Sequence, residues 1–426
     1  MKSFKRIISK IVPQRFKNVA HVAEAWLSAA LFGFPAKRLT IAGITGTDGK
    51  TTTANFLANM LESGGKRVAL ASTVSFRIAG NERVNATKYT TLGGYHLQKF
   101  LHDAKKAGCT HVVLEASSHA LDQGRLDGVH FAVAVITNVT REHLDYHKTM
   151  EEYRHAKRRL FDRADAAVVN LDMWEPEFFL KRAKRKSTYS TIESSADLLA
   201  ENLVLSLAGS RFSIGEIDFT IHLPGMFNVE NALAAAGAAS LLGVPMGTIA
   251  GAASELSLVP GRMESVKNGL GVTIIIDYAV TPDALGKLYE LVALMRKEGA
   301  KVVSVFGACG DRDRGKRPIM GEIVSATADV IILTDEDPYS EDPERILDEV
   351  EAGIRNKEKG MTLFRIRDRR EAIRAGLSML SSGDIMLVTG KGAEEGMQVG
   401  DRKIPWNDRK VIVEELSEAR SSLNCI

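Results

Sequence analysis

Nine consecutive residues, Thr45-Gly46-Thr47-Asp48-Gly49-Lys50-Thr51-Thr52-Thr53, place two glycines, a lysine and a run of hydroxyls between an apolar stretch, Leu39 to Ile44, and a helical pattern, Ala54 to Leu61. Glycines let backbone N–H groups approach phosphate oxygens, the lysine neutralises charge, and a hydroxyl directly after the lysine can ligate magnesium. Strand, glycine-rich turn and helix N-terminus together make a phosphate cradle. ATP and Mg2+ are the cofactors expected at Gly46, Thr47, Asp48, Gly49, Lys50, Thr51 and Thr52. The spacing is shorter than in the general phosphate loop, because Ile44 stands where its first glycine would be.

Two further strand ends carry polar residues. Glu115 closes the apolar run His111 to Glu115 and is followed by Ala116-Ser117-Ser118-His119, so its carboxylate is placed to hold a hard divalent cation by oxygen. His119 is read as a structural histidine. Thr137 to His147 follows another apolar run and leads into a helical stretch containing Tyr153, Lys157 and Leu160. Alone, such a polar segment is as much a solvated loop as a site. It gains weight because the other two strand ends face the same kind of crevice.

The elements that must position these residues alternate. Leu39–Ile44, Val68–Ser72, His111–Glu115, Ala132–Asn138 and Ala166–Asn170 read as strands with helical stretches between them, which predicts a mostly parallel sheet covered on both faces. Shorter strands follow over 196–222, then an alanine-rich helix from Asn228 to Leu242. The Pro260-Gly261 pair breaks both periods, and beyond it Thr273–Asp277, Val302–Gly307, Val330–Asp335 and Ile385–Gly390 form a second series. The fold expected is α/β: a central P-loop ATPase domain with a mostly parallel sheet, 39–259, and a C-terminal Rossmann-like α/β domain, 260–426. Residues 1–38 precede them as a basic amphipathic segment.

The 426 residues are 45% hydrophobic and 26% charged, an ordinary globular mix with room for two or three cores. A net charge of +3 from 56 basic and 53 acidic residues gives no reason to expect a nucleic-acid partner. The three cysteines, Cys109, Cys309 and Cys425, follow no metal-ligand or disulfide pattern, which fits a reducing cytoplasm. Before the first acidic residue, Glu24, stand Lys2, Lys5, Arg6, Lys10, Arg15 and Lys17, interleaved with Phe4, Ile7, Ile8, Ile11 and Val12. A helix packed on the body is the plain reading of this start, and weak contact with a membrane surface is its alternative.

The stretch Thr45 to Thr53 resembles the short phosphate loop of the Mur ligase superfamily, which also contains folylpolyglutamate synthases and cyanophycin synthetases. Within that superfamily the chain is most similar to the ligases that add the third stem residue to a UDP-N-acetylmuramoyl dipeptide. The strings that carry the resemblance are Glu115 to Arg125, Asn138 to His147 with Lys157, Phe227 to Asn231, Gly261 to Glu264, Asp277 to Asp283, Phe306 to Pro318 and Gly390 to Glu394.

The resemblance implies an ATP-dependent acid–amino acid ligase of peptidoglycan synthesis that works through an acyl phosphate. Lys50 and Thr51 would hold the ATP phosphates and magnesium, with Glu115 and His143 as further metal ligands. Lys157 matches a lysine that the family carbamylates to support a second magnesium. Asn231, Arg262 and Asp277 would contact the nucleotide across a domain interface. Thr90, Thr91, Ser117, Gln123 and Arg125 would cradle the muramoyl-peptide acceptor, and Arg312, Asp337, Tyr339, Gly390 and Glu394 the incoming amino acid. The partners implied are small molecules, and the chain is expected to act as a monomer.

The pattern departs in places. Tyr339 stands where diaminopimelate-adding relatives have an arginine able to grip a carboxylate with two bonds, so lysine or another diamine is an open alternative, received by Glu336, Asp337 and Glu394. Val280 and Ala393 replace histidines, and Asp48 an asparagine. The 38 residues before the first strand are too few for a uridine-nucleotide domain, so a non-UDP acceptor, folate or a peptide polymer stays open as substrate. A degenerate ATP-binding scaffold is the reading of a different class.

Overall fold

The structure is a computed structural model and describes residues 13–423 apart from 88, 182 and 207. Lys2, Phe4, Lys5, Arg6, Ile7, Ile8, Lys10, Ile11, Val12 and Cys425 lie outside the described residues.

The chain divides into two compact units. Unit 1 contains residues 1–139, 149–222 and 226–257, and unit 2 contains 140–148, 223–225 and 258–426. The short stretch 140–148 therefore groups with residues far along the chain, not with its sequence neighbours.

Unit 1 is built on a nine-stranded sheet of order β4-β3-β2-β5-β1-β6-β7-β8-β9. The strands are β1 (Thr40–Thr45), β2 (Val68–Ala71), β3 (Ser75–Ile78), β4 (Asn81–Val84), β5 (His111–Glu115), β6 (Phe131–Ile136), β7 (Ala164–Asn170), β8 (Arg185–Ser190) and β9 (Leu198–Leu199). From β2 to β9 all neighbours are parallel, and their near-continuous apolar sequences, such as Val112-Val113-Leu114, suit strands buried on both faces. The β3–β4 hairpin was not foreseen. It turns on Ala79 (φ 47°) and Gly80 (φ 85°), both left-handed as a two-residue hairpin loop requires. A three-stranded antiparallel sheet, β10 (Glu201–Ser206), β11 (Gly209–Ile214) and β12 (Ile217–Ile221), occupies the region read as short strands.

The helices of unit 1 used below are α1 (Gln14–Leu31), α2 (Lys50–Ser63), α3 (Gly94–Lys106), α4 (Met150–Phe161) and α5 (Met226–Leu241). Most of α5 is buried, which its alanines permit: Gly237 lies so near Val168 that a Cβ there would be 3.0 Å from that side chain. Helix α1 lies against α3 at similar range, since a Cβ on Gly94 would be 2.9 Å from Ala25 Cα.

Unit 2 carries a six-stranded sheet of order β13-β14-β18-β15-β16-β17. Its strands are β13 (Glu264–Ser265), β14 (Thr273–Asp277), β15 (Val302–Phe306), β16 (Val330–Leu333), β17 (Leu363–Arg365) and β18 (Ile385–Thr389), all parallel except β13. The core gathers Ile274, Ile276, Val303, Val305, Ile332, Met386 and Val388 with Ile373, Val411 and Ile412 from the covering helices. The fold is thus mixed α/β with a large, mostly parallel sheet and a second parallel-sheet unit. Among the described residues no helix is long and apolar enough to cross a membrane.

Candidate functional site

In unit 1 the turn after β1 is held from two sides. Asn138 Oδ1 accepts the backbone N–H groups of Thr47 (3.1 Å) and Asp48 (2.9 Å), while Thr137 Oγ1 donates to Asp48 O (2.6 Å). Gly49 is left-handed (φ 82°), and a Cβ on it would lie 2.2 Å from Asn231 Oδ1, which accepts the Thr53 hydroxyl at 3.2 Å. Only glycine meets both conditions. Helix α2 begins at Lys50 with no acidic residue in its first turn, so its N–H dipoles are uncancelled. Lys50 Nζ folds over the turn and donates to Gly46 O (3.0 Å) and Thr47 O (2.7 Å). Thr51 and Thr52 are buried behind it. A helix N-terminus entered through Gly49, with the Lys50 ammonium over the turn, fits a polyphosphate.

Glu115 is paired in register with Ile44 on the neighbouring strand β1, at the end where the phosphate turn begins. It is 1% exposed, and both carboxylate oxygens are held by one residue: Oε1 accepts the Thr73 N–H and Oε2 the Thr73 hydroxyl, each at 2.8 Å. Thr73 was missed in the sequence, where its only signal is a hydroxyl just beyond an apolar run. A magnesium ion takes one or two carboxylates and draws its other oxygens from water and phosphate, so the Glu115 carboxylate at the strand end next to the phosphate turn fits that ion. Among the described residues no cluster of three or more His, Cys, Asp or Glu able to hold a metal occurs.

The residues read as acceptor contacts gather around Glu115. Thr91 Oγ1 donates to Glu115 O (2.8 Å) and accepts the Ser117 N–H (2.9 Å). Arg125 Nη1 donates to Thr91 O (3.0 Å), and Thr90 Oγ1 lies 3.2 Å from Thr73 Oγ1. Gln123 ends the short helix Ser118–Asp122, its N–H donating to His119 O at 2.9 Å.

Helix α4 is capped by Thr149, whose hydroxyl oxygen accepts the Glu152 N–H at 3.1 Å. One turn on, Tyr153 and Lys157 share a face. Tyr153 Oη is 3.1 Å from Thr47 Oγ1, and Lys157 Nζ is 4.2 Å from the Tyr153 ring centroid. Lys157 is 1% exposed, an uncommon depth for a lysine.

His143 is described with unit 2. Its backbone is left-handed (φ 58°), a conformation non-glycine residues seldom adopt and one that functional sites retain. Next to it, Glu142 forms a buried pair with Lys316 Nζ (3.0 and 3.1 Å), which also donates to Val280 O at 2.8 Å.

At the carboxyl ends of the unit 2 strands, Asp277 accepts the Met263 N–H and the Ala279 N–H, both at 2.7 Å, and so ties two loops together. Arg262 stacks 4.4 Å from the Tyr278 ring, whose phenol is pushed up by burial and by Glu394. Arg312 lies 5.2 Å from the Tyr339 ring, and burial raises that phenol to about 12. Asp337 Oδ2 accepts from Lys391 Nζ at 2.9 Å, and the same ammonium pairs with Glu394. Glu336, whose carboxyl is raised by burial, accepts the Cys309 thiol at 2.8 Å. Gly390 (φ 106°) lets the chain pass, because a Cβ there would be 2.6 Å from Glu336 Oε2. Two of the three acids read as receivers of a cation, Asp337 and Glu394, therefore already share one: Lys391, fully buried, is the residue sequence reasoning overlooked.

Two units of this architecture, one with a phosphate cradle and a buried carboxylate at adjacent strand ends, define a nucleotide-dependent α/β enzyme. Residues 44–239 match the Mur ligase middle domain and residues 261–392 the Mur ligase glutamate ligase domain. The chain is 40% identical to a UDP-N-acetylmuramyl-tripeptide synthetase from Roseiflexus sp. (strain RS-1), over 95% of this chain and 82% of that one. It is 38% identical to a UDP-N-acetylmuramoyl-L-alanyl-D-glutamate--2,6-diaminopimelate ligase from Caldanaerobacter subterraneus subsp. tengcongensis, over 94% and 83%. A solved UDP-N-acetylmuramoyl-L-alanyl-D-glutamate--2,6-diaminopimelate ligase superposes with a TM-score of 0.63 at 34% identity, covering 95% of this chain and 83% of that one. The chain belongs to the Mur ligase family. It is an ATP-dependent ligase that joins a carboxylate to an amine.

Proposed function

We propose that this ligase adds the third stem residue to a UDP-N-acetylmuramoyl dipeptide in peptidoglycan synthesis. The observation that carries the reading is the Thr91 hydroxyl, which donates to the main-chain carbonyl of Glu115 and accepts the Ser117 N–H, so that the strand end bearing the cation-side carboxylate is tied to the acceptor-side residues. The names of the relatives at 38–40% identity support the same acceptor.

Each residue then has a part. The acceptor carboxylate, oriented by Thr90, Thr91, Ser117, Gln123 and Arg125, attacks the γ-phosphorus of ATP; the bond from that phosphorus to the β–γ bridging oxygen breaks and ADP leaves. Lys50 and the N–H groups at the start of α2 stabilise the spreading charge, and the roles of Asn231, Arg262 and Asp277 are to hold the nucleotide. Thr51, Glu115 and His143 would hold magnesium, which would supply charge neutralisation. The amine of the incoming amino acid, bound by Arg312, Asp337, Tyr339, Gly390 and Glu394, attacks the acyl carbon, phosphate leaves, and the amine loses a proton. Lys157 takes up CO2 as a carbamate with release of two protons, one from the ammonium and one on forming the N–C bond, which turns a buried cation into an anionic oxygen ligand. Its burial next to Tyr153 supports that change.

The test is phosphate release with ATP, magnesium and UDP-N-acetylmuramoyl-alanyl-glutamate, scanning diaminopimelate, lysine and ornithine, with the product weighed by mass spectrometry. A product heavier by one amino-acid residue upholds the reading and names the amine. ATP turnover without it moves the acceptor elsewhere, and absence of ATP binding would replace the ligase by a scaffold.

A further inference from the structure

Helix α1 is amphipathic in the wrong sense for a helix that only packs on its own protein. Its buried face is made of small residues, Ala25, Ser28 and Ala29, with Asn18 bonded to Asp122 O at 3.2 Å. The opposite face carries Phe16, Val19, Trp26, Leu27 and Leu31, between 51% and 72% exposed, with the exposed alanines Ala20, Ala23 and Ala30 between them. At 3.6 residues per turn these eight residues fall within an arc of about 140°. Arg15 and Lys17 stand at the two rims of that arc.

Charge identifies the occupant. Residues 1–47 contain eight Lys and Arg, namely Lys2, Lys5, Arg6, Lys10, Arg15, Lys17, Lys37 and Arg38, against Glu24 as the single acidic residue, whereas the whole chain nets only +3. The charge excess of the protein thus falls in the same part of the sequence as this exposed apolar stripe. A protein partner would need a matching apolar groove ringed by acids. An anionic lipid surface offers both chemistries at once, taking aromatic and leucine side chains at the level of the headgroups and lysine and arginine against the phosphates.

We infer that the outer face of α1 docks on an anionic membrane surface, lying in the headgroup region without crossing the bilayer. The inference does not depend on which acceptor or amine the ligase uses. Because Asn18 reaches Asp122, beside Gln123 and Arg125, docking brings the acceptor-side loops of unit 1 close to the lipid.

The experiment is co-sedimentation of the full chain with phosphatidylglycerol–phosphatidylcholine vesicles and with pure phosphatidylcholine vesicles. The expected result is binding to the anionic vesicles, weakened about tenfold or more by raised salt and by the double substitution Leu27→Glu/Leu31→Glu, with ATP binding of that variant unchanged as the control for folding. Absence of binding to anionic vesicles, equal binding to both kinds, or unaltered binding by the variant overturns the inference. Sedimentation velocity supplies the competing outcome: a concentration-dependent dimer that the same double substitution abolishes assigns the stripe to a second copy of the chain instead.

Discussion

Thr73 grips both oxygens of Glu115, one with its backbone N–H and one with its hydroxyl, each at 2.8 Å. The side-chain bond fixes the carboxylate's rotation while leaving lone pairs for a cation. Thr73→Val removes that bond and keeps the shape. We expect the magnesium concentration for half-maximal turnover to rise about tenfold, the equivalent of ~1.4 kcal/mol, with Thr73→Ser restoring it. An unchanged magnesium titration would remove Glu115 from the metal site.

Lys157→Ala is expected to abolish most ligase activity, on the order of a hundredfold, with partial rescue by chloride or short carboxylates added to the assay. Wild-type protein prepared free of CO2 should show the same loss and regain activity with bicarbonate. Full activity in the variant would exclude an anionic role for this position.

Gly49→Ala meets a left-handed backbone and a Cβ position 2.2 Å from Asn231 Oδ1. The strain costs about 1 kcal/mol or more, and the clash displaces Asn231 from the turn. We predict ATP binding weakened at least about tenfold by calorimetry, with only a few degrees lost in Tm. Retained affinity would mean that the turn does not form the cradle.

Arg317 is fully buried, donating to Glu341 (2.9 Å), Glu349 (2.6 Å) and Cys309 O (2.8 Å). The hydrogen bond from Arg317 holds the Glu341 carboxyl below the usual range. A depressed carboxyl stabilises the folded state above the unfolded pKa, about 4.3, and that contribution is lost as pH falls through the folded value. Arg317→Met should therefore lower stability by about 2–3 kcal/mol at pH 7, discounted for partly exposed partners. It should also flatten the fall in Tm between pH 5 and pH 3. A variant with the wild-type acid profile would contradict the pairing.

Most of the parallel strands were readable because their interiors are unbroken apolar runs: His111–Glu115 and Thr273–Asp277 are strands over the very residues expected. Ser75–Ile78, Asn81–Val84 and Arg185–Ser190 escaped notice because they are short and polar, and their pairing is fixed by a hairpin turn or by a neighbouring strand. The phosphate turn was legible from its own residues. Its supports Thr137 and Asn138 were not, since they are polar side chains whose purpose appears only once strands β1 and β6 lie side by side. Lys391 was hidden for the same reason: nothing near it in sequence announces that Asp337, 54 positions earlier, will share its charge.

The bond from Thr53 to Asn231 spans 178 positions of chain. During synthesis, at 5–20 residues per second, the phosphate turn therefore waits roughly 10 to 35 s for the residue that braces it. Until α5 has been made and has packed on α2, a nascent chain carries every residue of the turn without its brace. Nucleotide capture thus becomes a late event that reports completion of unit 1, and ligand binding can stabilise only chains that have reached that stage.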